Sequence, residues 1–361
     1  MNKILLGLLI LVIPVLSGCS LPQFGKGGGN ASQPTVSLLR SSDGGETFES
    51  KSTIDEKTNF SSADIISVAS STQDTRQMLV GTKDSGLFAT KDSGDTWKKL
   101  NYPPTKIYGL SIDKVDPSRM LATGEWQGRG KIYQSTDAGD NWTEVYTEPA
   151  NGSVITSLAQ NPFNSRVVYA GTSKGVIIRS TDAGDTWQNV NLSPAMQGNV
   201  IWSITFDPHQ NDRIFMLVGG KGVYVTDGEK IISEPQSTSF LTQGQNTSLS
   251  SSGALTLTLD PSRAGVLYIG SAKGVFRSQD AGKTFEALNI IESSKKFPIA
   301  AIAINPKDSN EIVYVSALTL YKSKDFGVHW STHGIASDKN ASIVRYDAYN
   351  PQTMFIGFKS K

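Results

Sequence analysis

The chain has 361 residues, a length that fits either several domains or one large repeat architecture. Lys and Arg together number 34, and Asp and Glu together number 33, so the net charge is too small to steer nucleic acid or acidic substrates to the protein. The one cysteine, Cys19, excludes an internal disulfide, and with three histidines a Cys/His metal site is not expected. We therefore predict no metal, no cofactor and no nucleic-acid partner.

The N-terminus has the features of an export signal. Lys3 supplies a positive charge, and residues 4–16 form an apolar run that is too short for a comfortable membrane span. The run ends in Leu16-Ser17-Gly18-Cys19, which resembles the lipobox of bacterial lipoproteins. The resemblance implies cleavage before Cys19 and acylation of this cysteine, and several acyl chains on one residue anchor a protein stably. A plain signal peptide with a chance cysteine, or a short membrane anchor, are the alternatives.

These features divide the chain into three predicted segments. Residues 1–18 are a lipoprotein signal peptide, residues 19–34 are the lipidated cysteine with a Gly-rich flexible tether, and residues 35–361 are the folded domain. The predicted location is the bacterial cell envelope, with the lipid-anchored domain facing the periplasm or the cell exterior.

A repeated turn phrase runs through the folded domain. It contains an aspartate, a glycine two residues later and an aromatic residue five residues later, as in Asp92, Gly94 and Trp97. The aspartates of the clear copies are Asp43, Asp92, Asp137, Asp182, Asp280 and Asp325, and a degenerate copy contains Asp227. They recur about every 45 residues, a period typical of a propeller blade with four strands.

A second turn signal, Asn or Asp followed by Pro, alternates with the first, as at Asn161-Pro162. One repeat therefore reads strand A, Asx-Pro turn, strand B, Gly turn, strand C, Asp turn, strand D. The domain begins with strand C at residues 36–40 and ends with strands A and B at residues 343–348 and 353–358, so these strands are predicted to share one composite blade. The predicted fold is all-β, a single closed seven-bladed β-propeller, with six or eight blades as the alternatives if the Asp227 copy is counted differently.

The repeated phrase resembles the Asp-box of bacterial-neuraminidase repeats, which also occurs in sortilin-like and photosystem II assembly-factor propellers. The resemblance covers essentially all of residues 36–358 and implies the propeller fold, but it implies little about activity because unrelated functions share the box. In each box the aspartate can accept hydrogen bonds from backbone N–H groups of the turn, and the glycine can adopt positive φ. The aromatic residue is predicted to fill the gap between neighbouring sheets.

The boxes also have a superficial similarity to calcium loops, because a second acidic residue follows the first in some copies. That second position is occupied, in chain order, by Glu46, Asp95, Asp140, Asp185, Lys283 and Val328. A required ligand would not be replaced by Lys or Val within one protein. The boxes are therefore interpreted as structural turns.

A hydrolase of the sialidase or xyloglucanase type is one functional alternative. Such enzymes need converging carboxyl groups or, in sialidases, a cluster of three arginines with a Tyr–Glu pair. The Arg-Ile-Pro motif of sialidases is absent, and Arg40, Arg179 and Arg277 each precede a box aspartate by three residues. These arginines should be spread around the ring, so no catalytic residue is predicted.

The turns between strands B and C should share the face opposite the Asp-boxes. Four of them carry a lysine beside or near a turn glycine, namely Lys83, Lys174, Lys221 and Lys273. In the second blade, a longer turn carries Glu125, Trp126 and Arg129. These seven residues are the candidate partner-binding set, because Trp and Arg anchor interfaces and basic groups attract an acidic partner or anionic glycan. The alternatives are ordinary soluble lysines and a Trp126 that folds back onto a neighbouring blade.

Two further features are predicted to be structural. Trp202 lies in a strand A and is predicted to be in the core, with the channel lining as the alternative. Residues 233–253 are rich in Ser, Thr and Gln and are predicted to form a mobile surface loop.

The leading functional hypothesis is a non-catalytic, membrane-anchored scaffold that binds a protein partner in the cell envelope. In plan the chain resembles the lipoprotein propellers that assist photosystem II assembly. A glycan-binding module and the glycoside hydrolase are the alternatives, and the domain is expected to be a monomeric propeller.

Overall fold

The computed structural model describes residues 33–149, 152–233, 239–242, 245–248, 254–291 and 298–360. Within these ranges the chain forms thirty β-strands and one 3₁₀ helix at Pro194–Met196. Cys19, the predicted signal peptide and nearly all of the predicted tether lie outside the described residues. Among the residues described, no helix is long and apolar enough to span a membrane.

The strands follow one another in seven sheets. The first two strands are β1 (Leu38–Ser41) and β2 (Glu49–Ser50). Blade 1 contains β3 (Ile65–Ser70), β4 (Met78–Thr82), β5 (Leu87–Thr90) and β6 (Lys98–Lys99). Blade 2 contains β7 (Leu110–Ile112), β8 (Met120–Trp126), β9 (Arg129–Ser135) and β10 (Thr143–Thr147). Blade 3 contains β11 (Ile155–Gln160), β12 (Val168–Thr172), β13 (Ile177–Ser180) and β14 (Gln188–Val190).

The second half of the chain continues the same pattern. Blade 4 contains β15 (Ile201–Phe206), β16 (Ile214–Val218), β17 (Gly222–Thr226) and β18 (Ile231–Ser233). A hairpin of β19 (Ser239–Thr242) and β20 (Gln245–Ser248) precedes blade 5, which contains β21 (Ala254–Leu259), β22 (Leu267–Ser271), β23 (Gly274–Ser278) and β24 (Glu286–Ala287). Blade 6 contains β25 (Ile299–Asn305), β26 (Asp308–Ser316), β27 (Thr319–Ser323) and β28 (Ser331–Gly334). The last strands are β29 (Asn340–Tyr346) and β30 (Met354–Lys359).

Blade 7 is built from both ends of the domain. Its strand order is β2-β1-β30-β29, and β1 is antiparallel to β30, with Leu38 opposite Gly357 and Ser41 opposite Met354. In the other blades strands A to D are consecutive in the chain, and the A strands of neighbouring blades contact one another around the axis. The fold is therefore the predicted all-β, seven-bladed β-propeller.

The degenerate repeat that contains Asp227 forms a complete four-stranded blade. In blade 4, β16 pairs with β15 and β17, and β17 pairs with β18. Asp227 Oδ1 accepts hydrogen bonds from the backbone N–H groups of Glu229 and Lys230, so it still closes a turn, although a shorter one than the clear boxes. The strand pairing depends on backbone groups, which the altered turn leaves in place.

The structure differs in part from the loop predicted over residues 233–253. Strands β19 and β20 form an antiparallel hairpin, and Leu241 of β19 is paired in parallel with Glu286 of β24. The short strand β24 is the outer edge of blade 5, so its free backbone groups can accept an additional strand. The composition of the segment predicted a loop. The hairpin was not predicted, because it depends on an edge strand that lies about forty residues later in the chain.

The hydrophobic core lies between the blades. In the described part of the chain there are seven clusters of buried apolar side chains, and each joins two neighbouring blades. One of them joins blade 7 to blade 1, where Leu38 and Phe355 pack with Ile65 and Trp97. Box aromatics belong to most of these clusters: Phe48, Trp97, Trp142, Trp187, Phe285 and Trp330. The box aromatics therefore fill the gaps between sheets.

Candidate functional site

The Asp-box aspartates are bound inside their own turns. Asp92 Oδ1 accepts hydrogen bonds from the Thr96 N–H at 2.9 Å and the Thr90 hydroxyl at 2.6 Å, and Asp92 Oδ2 accepts one from the Thr96 hydroxyl at 2.6 Å. The other clear boxes repeat this geometry at Asp43, Asp137, Asp182, Asp280 and Asp325. Both oxygens are used within the turn, so the aspartate acts as a turn cap. No group of three or more possible metal ligands occurs among the described residues.

The second acidic residue of the box binds the preceding blade. Asp95 in blade 1 lies 2.6 Å from Lys51 Nζ, which follows the outer strand of blade 7. The same kind of contact joins Asp140 to Lys98 at 2.7 Å and Asp185 to Arg119 at 3.0 Å. The carboxylate of each pair is more than half exposed, so each pair contributes little, but the pairs explain the acidic residues without a metal. Sequence reasoning did not find them, because the cation and the acid belong to different repeats.

The residue three positions before the box aspartate also joins two blades. Arg40 donates to the Ser93 carbonyl at 3.0 Å, and Arg277 donates to the Phe326 carbonyl at 2.6 Å. In both cases the acceptor follows the box aspartate of the next blade. Arg179 has its guanidinium 5.6 Å from the centre of the Tyr169 ring. The three arginines lie in blades 7, 3 and 5, so they do not form the cluster that a sialidase would need.

The candidate lysines all lie on the B–C turn face. Because strands alternate in direction, the B–C turns lie at the opposite end of each blade from the Asp-box turns. The four lysines are exposed and occupy the turns of blades 1, 3, 4 and 5: Lys83, Lys174, Lys221 and Lys273. The structure therefore distributes them around one face with one lysine per blade. It brings only Glu125, Trp126 and Arg129 together.

The B–C hairpin of blade 2 is longer than its counterparts and carries Trp126 near its tip. Trp126 pairs with Arg129 across a two-residue turn in which Gln127 and Gly128 have φ of 53° and 75°. Positive φ at both positions is typical of the tight type I′ hairpin turn. The Trp126 side chain is 39% exposed. The indole is thus partly packed against the protein, yet a substantial part of it faces solvent.

Side-chain and backbone contacts hold this hairpin in place. Arg129 Nε donates to the Glu148 carbonyl at 2.9 Å, and the Gly152 N–H donates to the Gly128 carbonyl at 3.1 Å. Lys106 Nζ lies 3.1 Å from Glu125 Oε2, and this hydrogen bond with the carboxylate raises the pKa of Lys106. Arg129 and Glu125 are therefore partly occupied in supporting the hairpin, and Trp126 is the most exposed of these three residues.

The central channel of the propeller is a second candidate site. Cavities of about 500, 370 and 470 Å³ share lining residues and are formed mainly by the A strands and the turns that follow them. Trp202 and Leu255 line the channel at the B–C turn face and are 55% and 49% exposed. The prediction that Trp202 lies in the core is therefore wrong. A strand A has one face toward the channel and one toward the neighbouring sheet, and the sequence alternation does not distinguish them.

The channel contains an arginine that sequence reasoning missed. Arg345 in β29 lines the channel cavities of about 500 and 370 Å³ and donates to the Val68 carbonyl at 2.6 Å. The guanidinium is open to the channel, but protein surrounds the channel, and this burial lowers the pKa of Arg345. The available signal was its position, because it is the one charged residue in β29.

Acidic residues are scarce in the cavities that the described residues form. Asp113 is the only carboxylic acid that lines any of five such cavities. Its Oδ1 accepts from the N–H groups of Val115 and Asp116, and its Oδ2 accepts from Gln160. Glycoside hydrolysis needs two carboxyl groups that flank the scissile bond. These cavities therefore do not present such a pair.

The fold and its turns define the class of protein as an Asp-box β-propeller with an open central channel. The chain belongs to the family described as photosynthesis system II assembly factor YCF48, whose family model matches residues 31–300. A comparison with curated protein sequences gives no match.

Similar solved structures come from two groups. YCF48 from Cyanidioschyzon merolae is 14% identical with a TM-score of 0.62, and the match covers 82% of this chain and 95% of that one. A structure of YCF48 bound to D1 peptide is 15% identical with a TM-score of 0.61 and coverages of 82% and 92%. The GH74 xyloglucanase from Xanthomonas campestris is 16% identical with a TM-score of 0.66 and a coverage of 82%, but the match spans only 51% of the enzyme. At these identities the structural likeness establishes the fold alone.

Proposed function

We propose that this protein is a non-catalytic scaffold that binds a protein partner through the B–C turn face of its propeller. Membership of the YCF48 family supports this function, and one structural neighbour in that group is bound to D1 peptide. The likeness to the xyloglucanase gives less support to a hydrolase, because the match spans about half of that enzyme.

The observation that carries the proposal is the elongated hairpin of blade 2. Its strands β8 and β9 have seven residues each, whereas the corresponding strands of blade 3, β12 and β13, have five and four. The added length carries Trp126 outward, and the contacts of Arg129 and Gly128 with the following loop hold the hairpin fixed. A rigid, partly exposed tryptophan loses little conformational entropy on binding, which suits an interface anchor.

The lysines of the same face give the surface a distributed positive charge. Lys83, Lys174, Lys221 and Lys273 are spread over four blades, so they would act on the approach of a partner more than on one contact. Distributed like charges mainly raise association rates and salt dependence. The partner is therefore expected to have an acidic surface around the residues that contact Trp126.

A photo-crosslinking experiment in envelopes of the native host tests this function. A photoreactive amino acid replaces Trp126 or, as the matched control, Phe163, an aromatic residue 53% exposed in the Asx-Pro turn on the opposite face. The expected result is a saturable protein adduct at position 126 that excess unlabelled domain competes away, and no such adduct at position 163. The identified partner should bind Trp126→Ala about thirtyfold more weakly, as expected for loss of an interface anchor, and should bind Phe163→Ala normally.

Two outcomes would contradict the proposal. Equal adducts at both positions would show that the B–C turn face has no special role. Loss of binding to a glycan array in Trp126→Ala, without any specific protein adduct, would replace the protein partner with a carbohydrate.

We also propose that lipid on Cys19 anchors the scaffold in a bacterial cell envelope. The basis is the apolar run over residues 4–16 followed by Leu16-Ser17-Gly18-Cys19. Metabolic labelling with an alkyne fatty acid should mark the wild-type protein and not Cys19→Ser, and only the wild type should remain with washed membranes. Labelling of Cys19→Ser at the wild-type level would refute the assignment.

A further inference from the structure

Arg345 occupies a position at which every other blade has a small residue. Strand pairing defines the equivalent positions, since each lies opposite the second residue of the continuous buried run in the strand B beside it. The equivalents are Ala69, Ser111, Ala159, Thr205, Thr258 and Ala303. The six sister blades therefore form the same strand without a long or charged side chain here. Building the blade does not require arginine.

The guanidinium of Arg345 has little to bind within the protein. The Val68 carbonyl accepts one hydrogen bond from Nη1, and no carboxylate of the described residues lies within 4.0 Å of the side chain. An arginine has five N–H donors, so most of its donor capacity faces the channel. Because the guanidinium is exposed to the channel, these donors and the positive charge are accessible to an anion that enters it.

The charged groups along the channel all have the same sign. In the ranges that the structure describes, the charged side chains lining the three channel cavities are Lys114, Arg345 and Lys359. The remaining lining is mostly apolar or hydroxylic, and Trp202 and Leu255 form an apolar mouth at the B–C turn face. The channel is therefore complementary to a molecule with an apolar body and one negative group.

The distance between these two features limits the size of such a molecule. Positions in different blades can be compared by counting back from the Asx residue that ends each strand A. By this count Arg345 lies three residues nearer the Asx-Pro turns than Trp202 and Leu255 do. At about 3.3 Å per residue this places the guanidinium roughly 10 Å along the axis from the apolar mouth. The cavity that contains all three residues has a volume of about 500 Å³, within the range of small-molecule sites.

We propose that the central channel binds an apolar monocarboxylate, with its carboxylate paired to Arg345 and its apolar chain directed toward Trp202 and Leu255. A carboxylate fits because the planar guanidinium presents parallel N–H donors to its two oxygens. One arginine supplies one counter-charge, which fits a single negative group. This site is separate from the B–C hairpin of blade 2 and does not depend on the proposed partner.

Isothermal titration calorimetry with matched straight-chain probes tests the proposal. At neutral pH and below their aggregation concentrations, octanoate and decanoate are compared with decanol and decylamine on the full folded domain. The expected result is one saturable site per chain for decanoate, weaker binding of octanoate, and at least tenfold weaker binding of decanol and decylamine. Arg345→Ser should lose about 10- to 100-fold in affinity for decanoate while its affinity for decanol is unchanged.

Arg345→Ser should fold normally, because serine or threonine occupies the equivalent position in three sister blades. Arg76→Gln, which removes an exposed arginine paired with Asp74 away from the channel, should bind decanoate like the wild type. Trp126→Ala should also bind decanoate normally, which separates this site from the partner face. Equal affinity of the wild type for decanoate and decanol, or an unchanged preference for decanoate in Arg345→Ser, would overturn the proposal.

Discussion

Replacing Lys322 with methionine should destabilise the propeller far more than the same change at a surface lysine. Lys322 in blade 6 is 5% exposed, and its Nζ donates to the Gly44 carbonyl of blade 7 at 2.8 Å. The same nitrogen lies 3.3 Å from Glu311 Oε2, and the Glu311 side chain is 14% exposed. Methionine has a similar length without the charge, so Lys322→Met leaves the carboxylate and the Gly44 carbonyl without this partner.

The remaining contacts of Glu311 set the size of the effect. Removing one partner of a buried ion pair costs about 3–5 kcal/mol. Glu311 Oε1 still accepts hydrogen bonds from Tyr346 Oη at 2.9 Å and Asn305 Nδ2 at 3.3 Å, so we expect about 3 kcal/mol, at the lower end of that range. The burial and the Glu311 carboxylate raise the pKa of Tyr346, which therefore remains a hydrogen-bond donor.

The matched control is Lys98, which joins blades 1 and 2 through Asp140 at 2.7 Å and is 69% exposed. Lys98→Met should cost less than about 1 kcal/mol, because water screens the pair. Urea unfolding followed by tryptophan fluorescence measures both changes, together with Glu311→Gln and the double variant Lys322→Met/Glu311→Gln. The double variant should be less destabilised than the sum of the single changes, since no unpaired carboxylate remains. Equal midpoints for Lys322→Met and Lys98→Met would refute the reasoning.

Two further predictions concern the turns. Hydrogen bonds within the box hold the pKa of three aspartates at about 2, below the ordinary value of 3.8: Asp137, Asp182 and Asp325. Because the folded pKa is depressed, this stabilisation is fully present above about pH 4 and is lost as the pH falls toward 2, so the urea midpoint should drop over that range; a constant midpoint would contradict this. Gly175 and Gly128 both have positive φ, but an added Cβ at Gly175 would lie 1.9 Å from the Met196 carbonyl oxygen, whereas nothing lies within 4 Å at Gly128. Gly175→Ala should therefore prevent folding or cost more than about 3 kcal/mol and Gly128→Ala about 1 kcal/mol, as measured by urea unfolding, and equal effects would show that the contact with Met196 is not limiting.

The architecture could be predicted because its signals are local and repeated. Each box aspartate binds N–H groups no more than four residues away, and each box glycine takes positive φ within the same turn. Such contacts are encoded by a few neighbouring residues, so their spacing reveals the blade length. The Asp227 copy shows the limit of this signal, since its altered turn left the blade count open until the strand pairing was known.

The candidate site was predicted less completely. Trp126 was identified because its turn departs from the repeat, and the structure places it near the tip of a hairpin on the expected face. Trp202 was assigned to the core, but it lines the channel, because hydrophobicity does not reveal which face of an inner strand meets another sheet. Residues 239–242 and 245–248 were taken as part of a loop, although they form paired strands on the edge of blade 5.

The amino-acid sequence by itself determined the local turns, the order of strands within a blade and the number of repeats, since these depend on residues close together in the chain. Only the tertiary structure decided which residues of different blades meet, such as Lys322 with Gly44 and Lys51 with Asp95. It also decided that Arg345 lies in the channel without an acidic neighbour among the described residues. The physical reason is that these contacts depend on the relative placement of whole sheets, which arises from the packing of buried side chains between the blades.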